Sequence, residues 1–452
     1  MAASAFPALS ESRNLRFATV SLLYVAQGLP FGLFTYPIPA WLTEQGASQA
    51  QIAYFGAVSF LPWGFKFLVA PFMDVIAFRA MGRRRPWIIG AQIGLVLALL
   101  GLAASPDPLS NLGLFTALAF CVSLFAATQD VAVDGMSIDI LRENERASAN
   151  AFMFGAQVCG IAAGSAGGGY AIHAFGSFAA PLALAVCSFL IMLAPLLLRE
   201  RPGERLLPWS EGAAAPSLLD ASRGSGARAI FRMSQELVRS LVLPMSLLLF
   251  VIHFLSRMSG GVYIALMGYF PVNDLGWQAT TYAYWSGVAN VVGAVGGIVG
   301  ALLVDRFGVR RVLGLLIGAR LLLFVVAGLA IALLQSYPLM AGLLLVEAAL
   351  TQIITVSIIA LFMNLCMPRV AATQFSLYMA SANLAQSAGL ALTGILAPLG
   401  VGTPGLFLVM AGMNAAALLL WPLFSLEKHR AKLDRETLAT PIPTPPDTVP
   451  VI

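Results

Sequence analysis

Twelve stretches of this chain are apolar over enough length to cross a lipid bilayer as helices, and this constrains the fold more than any other feature. The spans read from the sequence are 17–42, 51–78, 87–105, 111–141, 147–173, 178–198, 241–270, 278–304, 311–335, 338–366, 371–398 and 404–425. A helix needs about 20 apolar residues to cross the hydrocarbon, and longer runs imply tilt. With only 10% charged residues and a mean hydropathy of +0.85, the chain could not cover a water-facing surface, where roughly 25% charge is usual. A β-barrel would show short alternating segments instead. The expected fold is an all-α polytopic membrane protein with 12 transmembrane helices. The first span is too long for a cleaved leader and follows Arg13 and Arg16.

The basic residues orient these spans. With both termini on the cytoplasmic side, 23 of the 26 Lys and Arg residues fall in cytoplasmic segments and none in the loops opposite. The remaining three, Lys66, Arg257 and Arg320, lie inside spans. A formal charge of +5 therefore reads as topology beside an anionic leaflet, with membrane lipid as partner and no nucleic acid. The expected location is a bacterial-type inner membrane.

Residues 199–240 divide the chain into two sets of six spans. The expected organisation is an N-terminal segment 1–16, a bundle 17–198, a linker 199–240, a second bundle 241–425 and a disordered tail 426–452. Ile230, Met233 and Leu237 recur at helical spacing among Arg228, Arg232 and Arg239, which suggests an amphipathic helix on the membrane surface or a solvated linker helix. Cys121, Cys159, Cys187 and Cys366 lack metal-ligand spacing and read as small core residues. No phosphate-binding loop, metal site or cofactor motif appears. The run Gly164-Ser165-Ala166-Gly167-Gly168-Gly169 lies within an apolar span and reads as close helix packing.

The halves repeat one another. Ala70-Pro71-Phe72-Met73-Asp74, then Gly82-Arg83-Arg84-Arg85, joins spans two and three. Asp305-Arg306-Phe307-Gly308-Val309-Arg310-Arg311 joins spans eight and nine. Arg146, Ala149 and Phe152 likewise recur as Arg369, Ala372 and Phe375. The second loop resembles the Asp-Arg-x-Gly-x-Arg-Arg signature of the major facilitator superfamily, and the first is a looser copy. The resemblance implies two six-helix pseudo-repeats around a midplane site. It also implies a conformational latch made by Asp74, Arg83, Arg84, Asp305, Arg306, Arg310 and Arg311.

A closer resemblance is to the AmpG-type muropeptide permeases, a group related to siderophore importers and acetyl-CoA transporters. It rests on Gly28-Leu29-Pro30, Trp41-Leu42-Thr43, Phe65-Lys66-Phe67, Met73-Asp74, Gln129-Asp130 followed by Asp134 and Asp139, Glu347, and Ala372-Thr373-Gln374-Phe375. Two positions depart from the family pattern. Arg257 is followed by Gly260 where an Asp is expected, and Gln386 lies near an expected Arg.

Charged groups at the bilayer centre cost roughly 2.5–3.5 kcal/mol each on insertion scales, so each needs a reason. Lys66 and Arg257 are central in spans two and seven, and Asp130 and Asp134 lie one turn apart on span four. Glu347 lies a third of the way into span ten, and Arg320 is expected to be peripheral. By the resemblance, spans one, four, seven and ten line a cavity, which suggests pairing Lys66 with Asp130 or Asp134 and Arg257 with Glu347, either as neutralising pairs that only fix helix packing or as a polar transport pathway in which one acid carries a proton. The candidate substrate-binding residues are Tyr24, Gln27, Lys66, Gln129, His253, Arg257 and Gln352; the candidate proton carriers are Asp130, Asp134 and Glu347. Gly28, Pro30 and Gly32 suggest either a break in span one that frees carbonyls or a simple kink. The expected function is proton-coupled import, by a monomer, of a small polar or anionic solute such as an anhydro-muropeptide. The alternatives are import of a siderophore or other organic solute, a membrane-embedded enzyme or a sensor.

Overall fold

The computed structural model describes residues 8–75, 78–105, 107–142, 145–213, 241–366 and 371–428, together with 235 and 238. The linker helix suggested for 227–240 and the tail beyond 428 fall almost wholly outside the described residues, as do the side chains of Asp74 and Asp305.

Among the described residues the spans form twelve helical rods. The first joins α1 (Arg13–Thr35) to α2 (Pro37–Glu44) through Tyr36. The second joins α3 (Gln49–Phe65) to α4 (Val69–Val75) through a 3-10 turn at Lys66–Leu68. Rods three and four are α5 (Arg85–Ala103) and α6 (Leu112–Ile140). The fifth joins α7 (Arg146–Ala162) to α8 (Gly168–Phe175) through a π turn at Ala163–Gly167, and the sixth is α9 (Ala179–Leu197). The second half consists of α10 (Pro244–Asn273), α11 (Ala279–Phe307), α12 (Val309–Leu329), α13 (Tyr337–Leu365), α14 (Ala371–Leu396) and α15 (Thr403–Leu420). Among the described residues ten helices are long and apolar enough to cross a membrane. The 3-10 and π turns interrupt the other two rods. Local signals set several ends: Ser48 and Gln51 form a reciprocal capping box at the start of α3, and Gly308 (φ 82°) turns the chain between α11 and α12.

Small residues let particular helices touch backbone to backbone. A Cβ on Gly28 would sit 2.3 Å from the Gln157 carbonyl oxygen, and one on Gly164 would sit 2.1 Å from that of Leu29, so α1 lies directly on the fifth rod. Gly261 and Gly389 do the same for α10 and α14: their Cβ atoms would sit 2.0 Å from the Gln386 and Met258 carbonyl oxygens. Close approach without a side chain is the usual basis of small-residue packing in membranes. Gly28, Pro30 and Gly32 therefore do not break span one. The helix runs on to Thr35, and the interruption falls at Tyr36. The cysteines are less buried than expected: Cys159 and Cys187 are exposed.

Among the described residues, the buried core shared by the two halves lies away from the termini. Near the end away from the termini, a buried apolar cluster built mainly from Leu29, Leu33, Phe55 and Phe60 also includes Ala265 and Leu390 of the second half. Toward the terminal end the clusters separate: one, with Leu9, Met73 and Met136, lies wholly in the first half, and another, with Ile252, Phe362 and Trp421, wholly in the second. Polar contacts between halves fall on the same closed side. Thr43 Oγ donates to the Gly268 carbonyl (2.9 Å), Ser165 Oγ to that of Ala283 (3.0 Å), and the Ala279 N–H to Glu44 (2.5 Å). Among the described residues, the buried clusters join the halves away from the termini and separate beside them.

Candidate functional site

The first half concentrates its charges where the second rod changes helix type. The 3-10 turn begins at Lys66, and Lys66 Nζ lies 2.5 Å from Asp130 Oδ2 of α6 and 5.8 Å from the Trp63 ring centre. The pair is charge-assisted, and the aromatic face adds a cation–π contact. Asp134 follows Asp130 by one helical turn and accepts a hydrogen bond from the Tyr24 hydroxyl of α1. This half-site therefore holds two carboxyls and one amine. Gln129 is fully buried and donates to the Leu23 carbonyl (2.8 Å), which ties α6 to α1. Gln27 is also fully buried, and neither of its amide atoms has a hydrogen-bond partner.

In the second half, the suggested Arg257–Glu347 pairing is not formed. Glu347 bonds Arg320 instead: Arg320 Nη2 lies 2.8 Å from Glu347 Oε1, which also accepts from Thr351 Oγ (2.6 Å). Arg320 is not peripheral. It is 1% exposed, donates to the carbonyl and hydroxyl oxygens of Ser256, and lies 5.2 Å from the Phe324 ring centre. The rotation of α12 turns this guanidinium into the bundle, between α10 and α13. Arg257, half-buried, donates through Nη2 to Gln386 Oε1 at 2.5 Å, and its Nε is buried without a hydrogen-bond partner. Among the described residues no carboxylate lies within ion-pair distance of Arg257. His253 is buried without a hydrogen bond, its ring edge-on to Phe362. Gln352 lies against Gly297 of α11, between two helices of the same half.

The charge centres adjoin one seam. Spans two and eleven pack against each other, with Gly64 on Leu384 and Asn383 Nδ2 donating to the Trp63 carbonyl (3.3 Å). Lys66 follows Trp63 by one turn, and Gln386 follows Asn383 by one turn. Above the seam, the Tyr36 hydroxyl donates to Asn290 Oδ1 across the halves (3.3 Å). Trp63, Tyr36 and Asn290 carry no charge that would single them out in the sequence. A Tyr-Pro step after a long apolar helix was the one signal that could have drawn attention to Tyr36.

At the terminal end, the loop between spans two and three is tied to its own half. The Glu200 carboxylate accepts the N–H groups of Arg83, Arg84 and Arg85 at 3.1, 2.9 and 2.5 Å. Burial pushes this carboxyl up, and the three N–H donors pull against it. Asp139 lies 4.0 Å from Arg83 and 3.7 Å from Arg84. Glu204 is pushed up to about 7 by burial and the neighbouring Glu200. Burial also acts to raise Glu145, but the bidentate hydrogen bonds from Arg16 (2.9 and 2.8 Å) hold it below the usual carboxylate range. In the second loop Arg310 donates to the Pro422 carbonyl (3.2 Å), Arg306 stacks on Phe307, and Arg311 is exposed.

Elsewhere, a groove of about 300 Å³ between α12 and α13 is lined only by apolar side chains, including Leu323, Val326, Leu333 and Leu343. It offers nothing to orient a polar solute. No His, Cys, Asp or Glu cluster among the described residues could hold a metal ion.

Comparison with known proteins agrees with this architecture. The family model described as Major Facilitator Superfamily matches residues 20–252 and 249–446. An uncharacterised protein of Haemophilus influenzae is 35% identical over 144 residues, covering 30% of this chain and 33% of that one. The Anhydromuropeptide permease of Escherichia coli K12 is 33% identical over 131 residues, covering 29% of this chain and 26% of the permease. The matched stretch thus spans a third or less of either relative. A solved bacterial homologue of the human lysosomal transporter Spinster superimposes with a TM-score of 0.66 at 14% identity, covering 94% of this chain and 98% of that one.

Proposed function

The chain belongs to the major facilitator superfamily and is a multi-pass transporter of small molecules, not an enzyme; on that premise we propose that it is a proton-coupled importer of a polar, anionic solute, with an anhydro-muropeptide or related cell-wall fragment as the leading substrate. In this reading the protein is an inner-membrane monomer with both termini in the cytoplasm, as the positive-inside distribution of its basic residues suggests. Residues 17–198 and 241–425 form the two moving bundles and 199–240 the linker. The parted terminal end is then the cytoplasmic mouth. The substrate class rests on the permease similarity over part of the chain and on one structural observation.

That observation is the opposite charge balance of the two half-sites. The first holds Asp130 and Asp134 against Lys66, one base for two acids. The second holds Arg257 and Arg320 against Glu347, two bases for one acid. A proton suits the first and an anion the second. Protonating an acid in the first half loosens its hold on Lys66, so the amine can turn toward an anionic group lodged at Arg257. Lys66 and Arg257 then clamp the solute from both sides of the seam, and rocking carries solute and proton across together. Release of the proton inside restores the Lys66–Asp130 pair and expels the anion. Ligand and proton reinforce each other because each favours the same state.

Tyr24, Gln27, His253 and Gln352 line or buttress this pathway, with Gln129 fixing α6 beside it. Asp74, Arg83, Arg84, Asp305, Arg306, Arg310 and Arg311 close the cytoplasmic end when the halves rock together. The test is reconstitution: adding the labelled disaccharide of N-acetylglucosamine and anhydro-N-acetylmuramic acid to proteoliposomes should acidify their lumen in step with uptake. Uptake of this anion without proton movement would reject the coupling, and no uptake would reject the substrate class.

A further inference from the structure

We propose that Gln386 determines the charge specificity of the second half-site: pairing Arg257 with a neutral oxygen leaves one uncompensated positive charge there, which selects solutes presenting a single carboxylate or phosphate at that point. This rests on the transport reading above and adds a residue and a selection rule to it.

Three observations support the assignment. Glu347, the acid within span ten of this half, is already engaged by Arg320 and Thr351, so it leaves the Arg257 charge uncancelled. Arg257 is only half-buried, and its Nε, beside the Nη2 that bonds Gln386, has no hydrogen-bond partner, so Gln386 leaves the guanidinium's donor capacity unfilled. The placement of Gln386 is rigid, because its backbone carbonyl oxygen lies 2.0 Å from where a Cβ of Gly261 would sit, and the residue is 4% exposed. A glutamate in the same place would set a carboxylate at the 2.5 Å position and neutralise Arg257. An anionic solute would then meet a neutral pair and repulsion from the new carboxylate. Specificity of this kind is a difference between affinities for two related ligands.

The selection rule is tested with two probes of the same shape: the N-acetylglucosaminyl-anhydromuramic acid disaccharide, and its derivative in which the lactyl carboxylate is a carboxamide. Equilibrium binding is measured for the purified full-length protein. Wild type should bind the acid at least about tenfold more tightly than the amide; Gln386→Glu should erase that preference while holding the amide within about threefold, and Gln386→Met, which keeps the charge of Arg257, should preserve it. Retention of the preference in Gln386→Glu overturns the proposal. So does its loss in Gln386→Met, or failure of Gln386→Glu to bind the amide, since either marks the residue as a packing element. Equal binding of both probes by wild type sinks the selection rule while leaving the muropeptide reading intact. Binding of neither by wild type sinks both.

Discussion

Lys66 and Asp130 form a contact of 2.5 Å between helices that the sequence places 64 residues apart, at the point where the second rod passes from α-helix into a 3-10 turn. Two ions withdrawn from water stabilise each other only as a pair, and removing one partner strands the other at a cost of about 3–5 kcal/mol. Lys66→Met alone should therefore unfold at markedly lower temperature than wild type. Lys66→Met combined with Asp130→Asn should recover most of that loss in a thermal melt while remaining unable to accumulate solute. A double variant that transports at wild-type rates would make the pair purely structural.

Arg320 and Glu347 are buried more deeply, and Ser256 and Thr351 add further hydrogen bonds to them. Glu347→Gln leaves a buried guanidinium with a neutral partner and should lower stability by about 3 kcal/mol or more. If Glu347→Gln instead melts like wild type but loses gradient-driven accumulation, Glu347 is a proton carrier in its own right.

The glycine contacts are backbone on backbone, so no side chain can give way. Gly389→Ala places a methyl group 2.0 Å from the Met258 carbonyl oxygen and must move α14 off α10. It should cost at least about 2 kcal/mol, read as reduced yield of folded protein and a lower melting temperature. Gly90→Ala meets nothing within 4 Å and should be silent in the same assay.

Glu204 is 1% exposed beside Glu200, facing Arg201 and Arg85. Its folded-state value of about 7 lies above the ordinary 4.5, so the folded state binds the extra proton between those values. The associated stability is present at low pH and is lost as pH rises through about 7. Melting temperature should fall between pH 5 and pH 8, and Glu204→Gln should flatten that slope. An unchanged slope would place the titration elsewhere.

The sequence made the twelve rods legible because length and apolarity suffice to mark a membrane helix, and the scarcity of charge made each buried one conspicuous. What it could not show was rotation about the helix axes. Arg320 was assigned a peripheral position and Arg257 was paired with Glu347; turning α12 by a fraction of a turn exchanges those partners. The 3-10 turn at Lys66 and the π turn at Ala163–Gly167 were also hidden, since an apolar run has the same composition in any helical register. Gln386 was visible only as a departure from a family pattern, because a neutral amide in a membrane helix has no charge signal of its own. Its importance depends on which guanidinium it faces.

The central claim is that a proton on the first half-site drives an anion held by the second, and Asp130→Asn tests it most directly. Asparagine keeps the shape of the protonated acid but releases no proton. In proteoliposomes with an acidic exterior, wild type should concentrate the labelled anhydro-disaccharide severalfold inside. Asp130→Asn should fail to concentrate it while still exchanging labelled for unlabelled solute across the membrane at a substantial rate. Accumulation by Asp130→Asn at the wild-type level would contradict the account.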